Sequence, residues 1–555
     1  MSEQQLTPTL WVSAQIGPDR VSALSEQGFT DVICNRPDGE AEGQPPFEAI
    51  RRAAETVGIR AHYLPVVPGQ FGRAEAARMA ALLASAPGKT LAYCRTGNRS
   101  ASLWAVDQWL GGADKAGLMS QVQTLGFDLG PTLERFSPTT TEQRDILVVG
   151  GGAAGIAVAA SIKARQSAVG ITIVEPASNH FYQPGWTLVG GGVFSPEKTR
   201  RDMASIIPPG VEWIQSAVTA FAPEDNRVTL SDGRTLQYQQ LVVAPGLVLN
   251  WSAIEGLEDT LGKNGVTSNY RYDLAPYTWA LVKGLKGGRA VFTQPPMPIK
   301  CAGAPQKAMY LSADYWLSES LLSDISVGFY NAGAVLFGVS EYVPALMEYV
   351  RRYNIDLNFQ HNLVAVDGPR QIATFVVTNA EGESHREQVP FEMLHVCPPQ
   401  SAPAFVRHSA LADKAGWVDV NPATLQHQRY GNVWALGDVI NAPNAKTAAA
   451  ARAQAPIVAT NLLAAIGYHC EPRHYNGYGS CPLTVERGKI VLAEFGYGGK
   501  LLPSFPPWLL DGTRPTRLAW WLKERILPPV YWQAMLKGRE WLTQSEPATR
   551  EESTH

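Results

Sequence analysis

Residues 145–156 read D-I-L-V-V-G-G-G-A-A-G-I, and this stretch decides the architecture of most of the chain. The apolar, branched run 146–149 suits a strand buried on both faces of a parallel sheet. Gly150, Gly152 and Gly155 then satisfy G-x-G-x-x-G. The first glycine permits a tight turn, the second lets backbone approach a pyrophosphate, and the third lets the next helix pack close to the strand. That helix, expected over 153–165, aims free N–H groups and a positive dipole end at phosphate, with Ala153 and Ala154 in its first turn. A second strand over 169–175 ends in Glu175, an acid about 25 residues on and suited to a ribose hydroxyl. A lone glycine fingerprint is a weak signal. Strand, glycines, helix, strand and terminal acid in order specify a dinucleotide site.

The chain has 555 residues, too many for one core, so roughly two to four domains are expected. A net charge of −3 gives no electrostatic case for nucleic acid. The N-terminus MSEQQLTPTLW has neither the basic nor the apolar segment of a secretory signal. There is no apolar run of about 18 residues to span a bilayer. Cys34, Cys94, Cys301, Cys397, Cys470 and Cys481 are scattered, which suggests reactive or buried thiols rather than a disulfide scaffold. Without C-x-x-C or H-x-x-x-H, no metal site is expected.

Residues 1–130 alternate short strands (32–35, 90–94) and helices (47–57, 73–86), which makes a small α/β domain. Its chemistry sits at Cys94-Arg95-Thr96-Gly97-Asn98-Arg99. A cysteine closes a buried strand, a loop curls back, and a helix begins near Arg99. Successive N–H groups in such a loop form an anion nest, and a helix N-terminus with nearby arginines favours thiolate. Tyrosine phosphatases carry C-x5-R; here the spacing is C-x4-R. The loop resembles rhodanese-type sulfur transferases, and residues 8–110 resemble a phosphatase-like family fused elsewhere to persulfide-handling hydrolases. The resemblance implies sulfur transfer through Cys94 and Arg99, with phosphatase activity or a non-catalytic remnant as alternatives. Asp38 reads as part of a Pro37-Asp38-Gly39 turn, and Cys34 as a core residue. Residues 131–144, rich in Pro, Thr and charge, read as a linker.

After Glu175 come H-F-Y-Q-P-G-W-T-L-V-G (180–190), L-V-V-A-P-G (241–246) and V-W-A-L-G-D (433–438). The last two resemble segments of two-dinucleotide-domain flavoproteins, in which a Gly-Asp binds the ribityl chain of FAD. Lys446 precedes a helix whose N-terminus favours negative charge on a reduced flavin. The second nucleotide domain has strands at 290–293 and 325–330 but no glycine fingerprint after either, so a nicotinamide partner is not expected. It carries K-C-A-G-A-P-Q-K (300–307) instead. Small residues there let Cys301 approach a ring, and Lys300 and Lys307 favour its thiolate.

Together with G-W-V-D-V (416–420), T-L-Q-H (424–427) and Y-G-S-C-P-L (478–483), these segments are similar to type II sulfide:quinone oxidoreductases over residues 145–540. The resemblance implies that Cys301 and Cys481 lie together beside FAD and carry sulfide to a persulfide, with electrons leaving to ubiquinone. It implies cofactor contacts from Gly150, Gly152, Ala153, Ala154, Gly155, Glu175, Gln183, Val218, Gly246, Asp438 and Lys446. Other classes place a cysteine after the Gly-Asp; here that residue is Val439. Cys397 stands at a strand end and reads as packed unless it nears the flavin. In 501–555, Trp508, Trp520, Trp521 and Trp532 interleave with Leu, Arg and Lys on segments broken at Pro528-Pro529. Such segments suit a bilayer interface and are too short to span it. Residues 545–555 read as a disordered end.

The expected organisation is α/β. A phosphatase-like domain (1–130) and a linker (131–144) precede tandem Rossmann-type flavoprotein domains (145–500), with FAD parts at 145–255 and 390–500 and a second Rossmann-like part at 256–389. An amphipathic helical membrane-association tail (501–555) completes it. The expected partners are sulfide, ubiquinone, a low-molecular thiol or thiosulfate-type acceptor, and the cytoplasmic face of a membrane; homo-oligomerisation stays open. The alternatives are a NADH:quinone-type flavin oxidoreductase and a phosphatase domain tethered to a flavin module.

Overall fold

The computed structural model describes residues 3–68, 71–111, 113–136, 142–540 and 546–547. It divides into two compact units: Met1–Glu142 with Asp232–Thr235, and Gln143–Ser231 with Leu236–His555.

The first unit holds a five-stranded sheet in the order Gln4–Gln5, Leu10–Ser13, Lys89–Tyr93, Phe29–Cys34, Arg60–Tyr63. Only the first pair is antiparallel. The central strand Lys89–Tyr93 is buried on both faces from Thr90 on, with Leu91, Ala92 and Tyr93 as its apolar run. The helix Asn98–Leu110 follows it, its Ala101-to-Val106 stretch fully packed. Part of the expected linker is structured: Gly130–Arg135 is helical. Leu129, Leu133 and Phe136 recur at helical spacing and enter the core of this unit. Residues 137–141 of the linker lie outside the described residues.

The second unit contains two dinucleotide-type sheets, the first mixed, with Val218–Ala222 antiparallel to Arg227–Leu230, and the second parallel. The first runs Val211–Ile214, Ile171–Val174, Glu142–Val149, Thr235–Val243, Arg227–Leu230, Val218–Ala222, with Val433–Ala435 also pairing Thr235–Val243. The helix Ala153–Arg165 crosses over as read from the glycines. Gly155 packs so closely that an added Cβ would meet Gly150 O at 1.9 Å. The second sheet runs Val266–Thr267, Met393–His395, Gly288–Gln294, Ile325–Asn331, Asp356–Phe359. Met393–His395 belongs here, so this part passes the boundary expected at 389. Its Leu394 is wholly buried and pairs Val291.

The hairpin Gly479–Glu486 and Lys489–Phe495, register Cys481↔Ala493, packs behind the second sheet. The tail is one continuous helical path from Arg517 to Lys537, not two segments broken by proline. Wide π-type turns at Leu522–Ile526 and Val530–Ala534 flank Leu527–Pro529. They absorb the missing proline N–H groups within the helix. Of the expected disordered end, Glu546–Pro547 pairs Arg473–His474; residue 545 and residues 548–555 lie outside the described residues. Among the described residues no helix is long and apolar enough to cross a membrane.

Candidate active site

The strand–glycine–helix unit opens onto a cavity of about 490 Å³, within the range of cofactor sites, roughly 300–1,000 Å³. Gly151, Gly152, Ala153 and Ala154 line one end, Ala244 to Gly246 and Gly437-Asp438 the middle. Gly150 has φ +103°, and a Cβ there would meet Ala244 O at 2.4 Å. Gly152 would meet nothing within 4 Å, so it presents bare backbone to the cavity. The Glu175 carboxylate accepts from Gly151 N at 2.7 Å and Ala177 N at 2.8 Å, which fixes it at the cavity edge. Val218 is 5% exposed in the core and does not line the cavity. Gln183 lines it with its amide oxygen taken by the Lys300 ammonium.

Several buried lining groups lack any partner: Trp186 Nε1, both amide atoms of Asn269, and Nε and Nη2 of Arg452. Such groups cost free energy unless a ligand meets them. Glycine turn, helix N-terminus and unpartnered donors along one cavity fit a flavin dinucleotide. Burial raises the pKa of Asp438 and lowers that of Lys446 to about 8. The Lys446 ammonium donates to Asp438 O (2.8 Å) and Ile440 O (2.7 Å) and lies 4.0 Å over the Trp417 ring.

Cys301 and Cys481 meet here, Sγ to Sγ 3.7 Å. Cys301 sits at φ +51°, an uncommon conformation for a side chain with a Cβ. Its N–H is pinned to Lys446 O at 2.8 Å and its carbonyl takes Ala304 N at 2.7 Å. Cys481 reaches it because Gly303 is small: a Cβ at 303 would meet Cys481 Sγ at 2.7 Å. Lys307 Nζ lies 3.1 Å from Cys301 Sγ. The Cys481 hydrogen bond, and then the Lys307 charge, hold the Cys301 thiol well below its usual range. The bond to Cys301 and burial push Cys481 well above it. One proton and one thiolate are therefore shared across the pair, with the thiolate on Cys301.

A second cation comes from the tail. Lys523 is 5% exposed and donates to Thr484 Oγ1 (3.0 Å) and Pro482 O (3.3 Å). Burial, and then the nearby Lys307 charge, lower its pKa to about 7. Sequence reading missed Lys523 because its partners lie about 40 residues away, on a hairpin it says nothing about. Arg452 and Glu494 were missed too, and Tyr478 was read only as the first residue of Y-G-S-C-P-L. Cys397 is 1% exposed, its pKa pushed to about 12 by burial, packed with Tyr270 and Ile299.

In the first unit Cys94 directly follows the central strand and Gly97, at φ +91°, turns its N–H onto Cys94 Sγ at 3.2 Å. Arg99 is directed elsewhere: it donates to Val66 O (2.9 Å) and Glu40 Oε2 (2.7 Å). Arg36 shares that carboxylate at 2.7 Å. The carboxylate of Asp38 accepts from Phe47 N at 2.9 Å, consistent with a turn. Cys34 is 2% exposed and burial raises its pKa.

A dinucleotide cradle opening onto a buried dithiol defines a flavoprotein of the two-dinucleotide-domain class. Residues 144–280 match the pyridine nucleotide-disulphide oxidoreductase family, and residues 3–111 the phosphatase-like domain of beta-lactamase hydrolase-like protein. The chain is 42% identical over 398 residues to the mitochondrial sulfide:quinone oxidoreductase of Dictyostelium discoideum, covering 71% of this chain and 86% of that one. It is 40% identical over 400 residues to that of Mus musculus, covering 72% and 88%. The solved sulfide:quinone oxidoreductase of Aquifex aeolicus shares the fold, with a TM-score of 0.59 at 19% identity over 72% of this chain and 92% of that one. The chain belongs to the sulfide:quinone oxidoreductase family.

Proposed function

We propose that the Cys301–Cys481 pair oxidises sulfide, that electrons pass through FAD to a quinone, and that the sulfane sulfur leaves to a low-molecular thiol or to Cys94. The observation that carries this is the 3.7 Å approach of the two sulfurs with Lys307 at 3.1 Å. In the oxidised pair, hydrosulfide attacks Cys481 Sγ and the S–S bond breaks toward Cys301. Cys301 is the better leaving group because its thiolate is the stabilised one. The product is a Cys481 persulfide and a Cys301 thiolate. Lys307 holds that thiolate, and Lys523 favours approach of the hydrosulfide anion. FAD, when bound, supplies the two-electron acceptor. An acceptor thiol then takes the outer sulfur. Overall, H2S, RSH and quinone give RSSH and quinol, which balances atoms and electrons.

Within that reading residues 1–130 act as a sulfur transferase around Cys94, and the tail rests on the cytoplasmic face of a membrane. Gly97 N at 3.2 Å from Cys94 Sγ supports the first. Exposed Trp508 (84%) and Trp521 (53%) support the second. Anaerobic addition of sulfide to the full-length protein tests the core reading: flavin absorbance should bleach, and Cys301→Ala or Cys481→Ala should abolish bleaching. Unchanged bleaching in both would reject it. Cys94→Ala should leave bleaching intact and slow transfer of sulfur to thiols; unchanged transfer would reject the relay.

A further inference from the structure

Four strands of the first unit run parallel, Leu10–Ser13, Lys89–Tyr93, Phe29–Cys34 and Arg60–Tyr63, so their carboxyl ends share one edge of the sheet. In open α/β sheets ligands bind outside that edge. Cys94 follows the second of these strands, its N–H donating to Ser13 O at 3.3 Å, and Asn35 and Arg36 follow the third. Asn35 Oδ1 is buried there without a partner, as is Ser100 Oγ in the first turn of the helix Asn98–Leu110. Buried polar groups left open in this way are expected to meet a ligand or water.

The same edge carries a fixed charge pattern. Arg36 and Arg99 are 5% and 6% exposed, and both donate to one oxygen of Glu40, Oε2, at 2.7 Å. Arg36 also donates to Gln15 Oε1 at 3.1 Å. Glu40 is not a loose surface acid, because its loop is pinned. The Asp38 carboxylate accepts from Phe47 N at 2.9 Å, Asp38 N donates to the Tyr63 hydroxyl at 2.9 Å, and Gln44 Nε2 donates to Pro37 O at 2.8 Å. The Arg99 hydrogen bond holds the Glu40 carboxyl below its usual range, so it is an anion at neutral pH. Two guanidinium charges therefore face one carboxylate, and a single positive charge is left over. Arg95 and Asp38, both exposed, are of opposite sign and screened by solvent. A dianion such as thiosulfate or a phosphate monoester would have to stand against Glu40. The sulfur end of a persulfide has no charge when protonated and one when not, which matches the charge available.

We propose that the Cys94 site takes the outer sulfur of an organic persulfide, the RSSH released at the dithiol, and that Glu40 keeps dianionic donors out by occupying Arg36 and Arg99. The inference rests on residues 1–130 being a sulfur transferase. The Cys94 thiolate attacks the outer sulfur of RSSH. The bond between the two persulfide sulfurs breaks, and its electron pair leaves with the inner sulfur, which takes the proton as RSH. Cys94 is left as a persulfide anion in the loop whose Gly97 N lies 3.2 Å from Cys94 Sγ. No outside oxidant or reductant enters the step.

The test loads Cys94 in full-length, flavin-loaded protein without sulfide or quinone, and follows persulfide on the Cys94 peptide by mass spectrometry. Glutathione persulfide and thiosulfate are the two donors, and inorganic phosphate is the competitor. Glutathione persulfide should load the wild type at least about tenfold faster than thiosulfate, and phosphate should leave both rates unchanged. In Glu40→Gln the freed arginines can hold a dianion. The preference for the persulfide should then fall roughly tenfold, the size of one charge-assisted hydrogen bond, and phosphate should slow loading. Glu40→Asp keeps the charge and should retain most of the preference. A purely structural role for Glu40 would slow both donors alike and leave the preference at its wild-type value, which would overturn the inference. So would a wild type loaded equally fast by thiosulfate, or one whose loading phosphate slows. If neither donor loads wild-type Cys94, the sulfur-transferase reading of residues 1–130 falls, and this inference with it.

Discussion

The Tyr531 hydroxyl lies 2.6 Å from Nε2 of His180, and the other ring nitrogen of His180 lies 3.0 Å from Gly151 O. A carbonyl only accepts, so Nδ1 carries the proton and Nε2 accepts from the tyrosine. The tail is therefore tied to the glycine turn that opens the dinucleotide site. Tyr531→Phe leaves a buried imidazole nitrogen unpaired, at a cost of about 1–3 kcal/mol. We expect a lower thermal midpoint and faster flavin loss on dilution, both measurable by flavin fluorescence. Unchanged flavin retention would show that the tail does not support the turn.

His180 and His395 are both buried and neutral, with pKa values lowered to about 4 by burial. In the unfolded chain each takes a proton near pH 6.5, so the unfolded state binds more protons between those values and gains stability as pH falls. Stability is full above about pH 6.5 and declines toward pH 4, by up to about 1.4 kcal/mol per histidine per pH unit. Urea denaturation at pH 7.5, 6.0 and 5.0 should show this slope, and His395→Asn should reduce it. A flat profile would contradict neutral burial.

The first dinucleotide unit was legible because its signals are local. Residues 146–156 place strand, turn and helix within a dozen positions, and the helix Ala153–Arg165 spans the residues expected from the glycines. The Cys301–Cys481 meeting followed from resemblance; nothing in a separation of 180 residues fixes a distance. Lys523 and Tyr531 were read as parts of an interfacial tail, because an amphipathic segment shows which residues are apolar but not what they pack on. Arg99 was expected to serve Cys94. Its side chain instead pairs Glu40, 59 residues away in sequence and shared with Arg36, and Val66 O, partners that no local pattern announces.

Lys307 is the counter-charge of the Cys301 thiolate. Lys307→Met removes the nearer cation and leaves the Cys481 hydrogen bond and the weaker effect of Lys523 to hold the thiolate down, so the Cys301 pKa rises. Bleaching of the flavin by sulfide should slow by at least about tenfold at pH 7, roughly the effect of one pKa unit, and recover in part as pH rises. A rate loss independent of pH would assign Lys307 a packing role only.

Lys523 is expected to lose its charge as pH rises through about 7. Below that it adds a cation beside the dithiol and favours an anionic nucleophile; above it the field weakens. The concentration of hydrosulfide giving half-maximal flavin reduction should therefore rise between pH 6 and pH 8.5, after correction for sulfide's own ionisation. In Lys523→Met it should be weaker at pH 6 and lack that step. Lys523→Arg keeps its charge throughout and should hold the low-pH affinity at pH 8.5. A step that persists in Lys523→Met would place its origin in the Cys301–Cys481 pair instead.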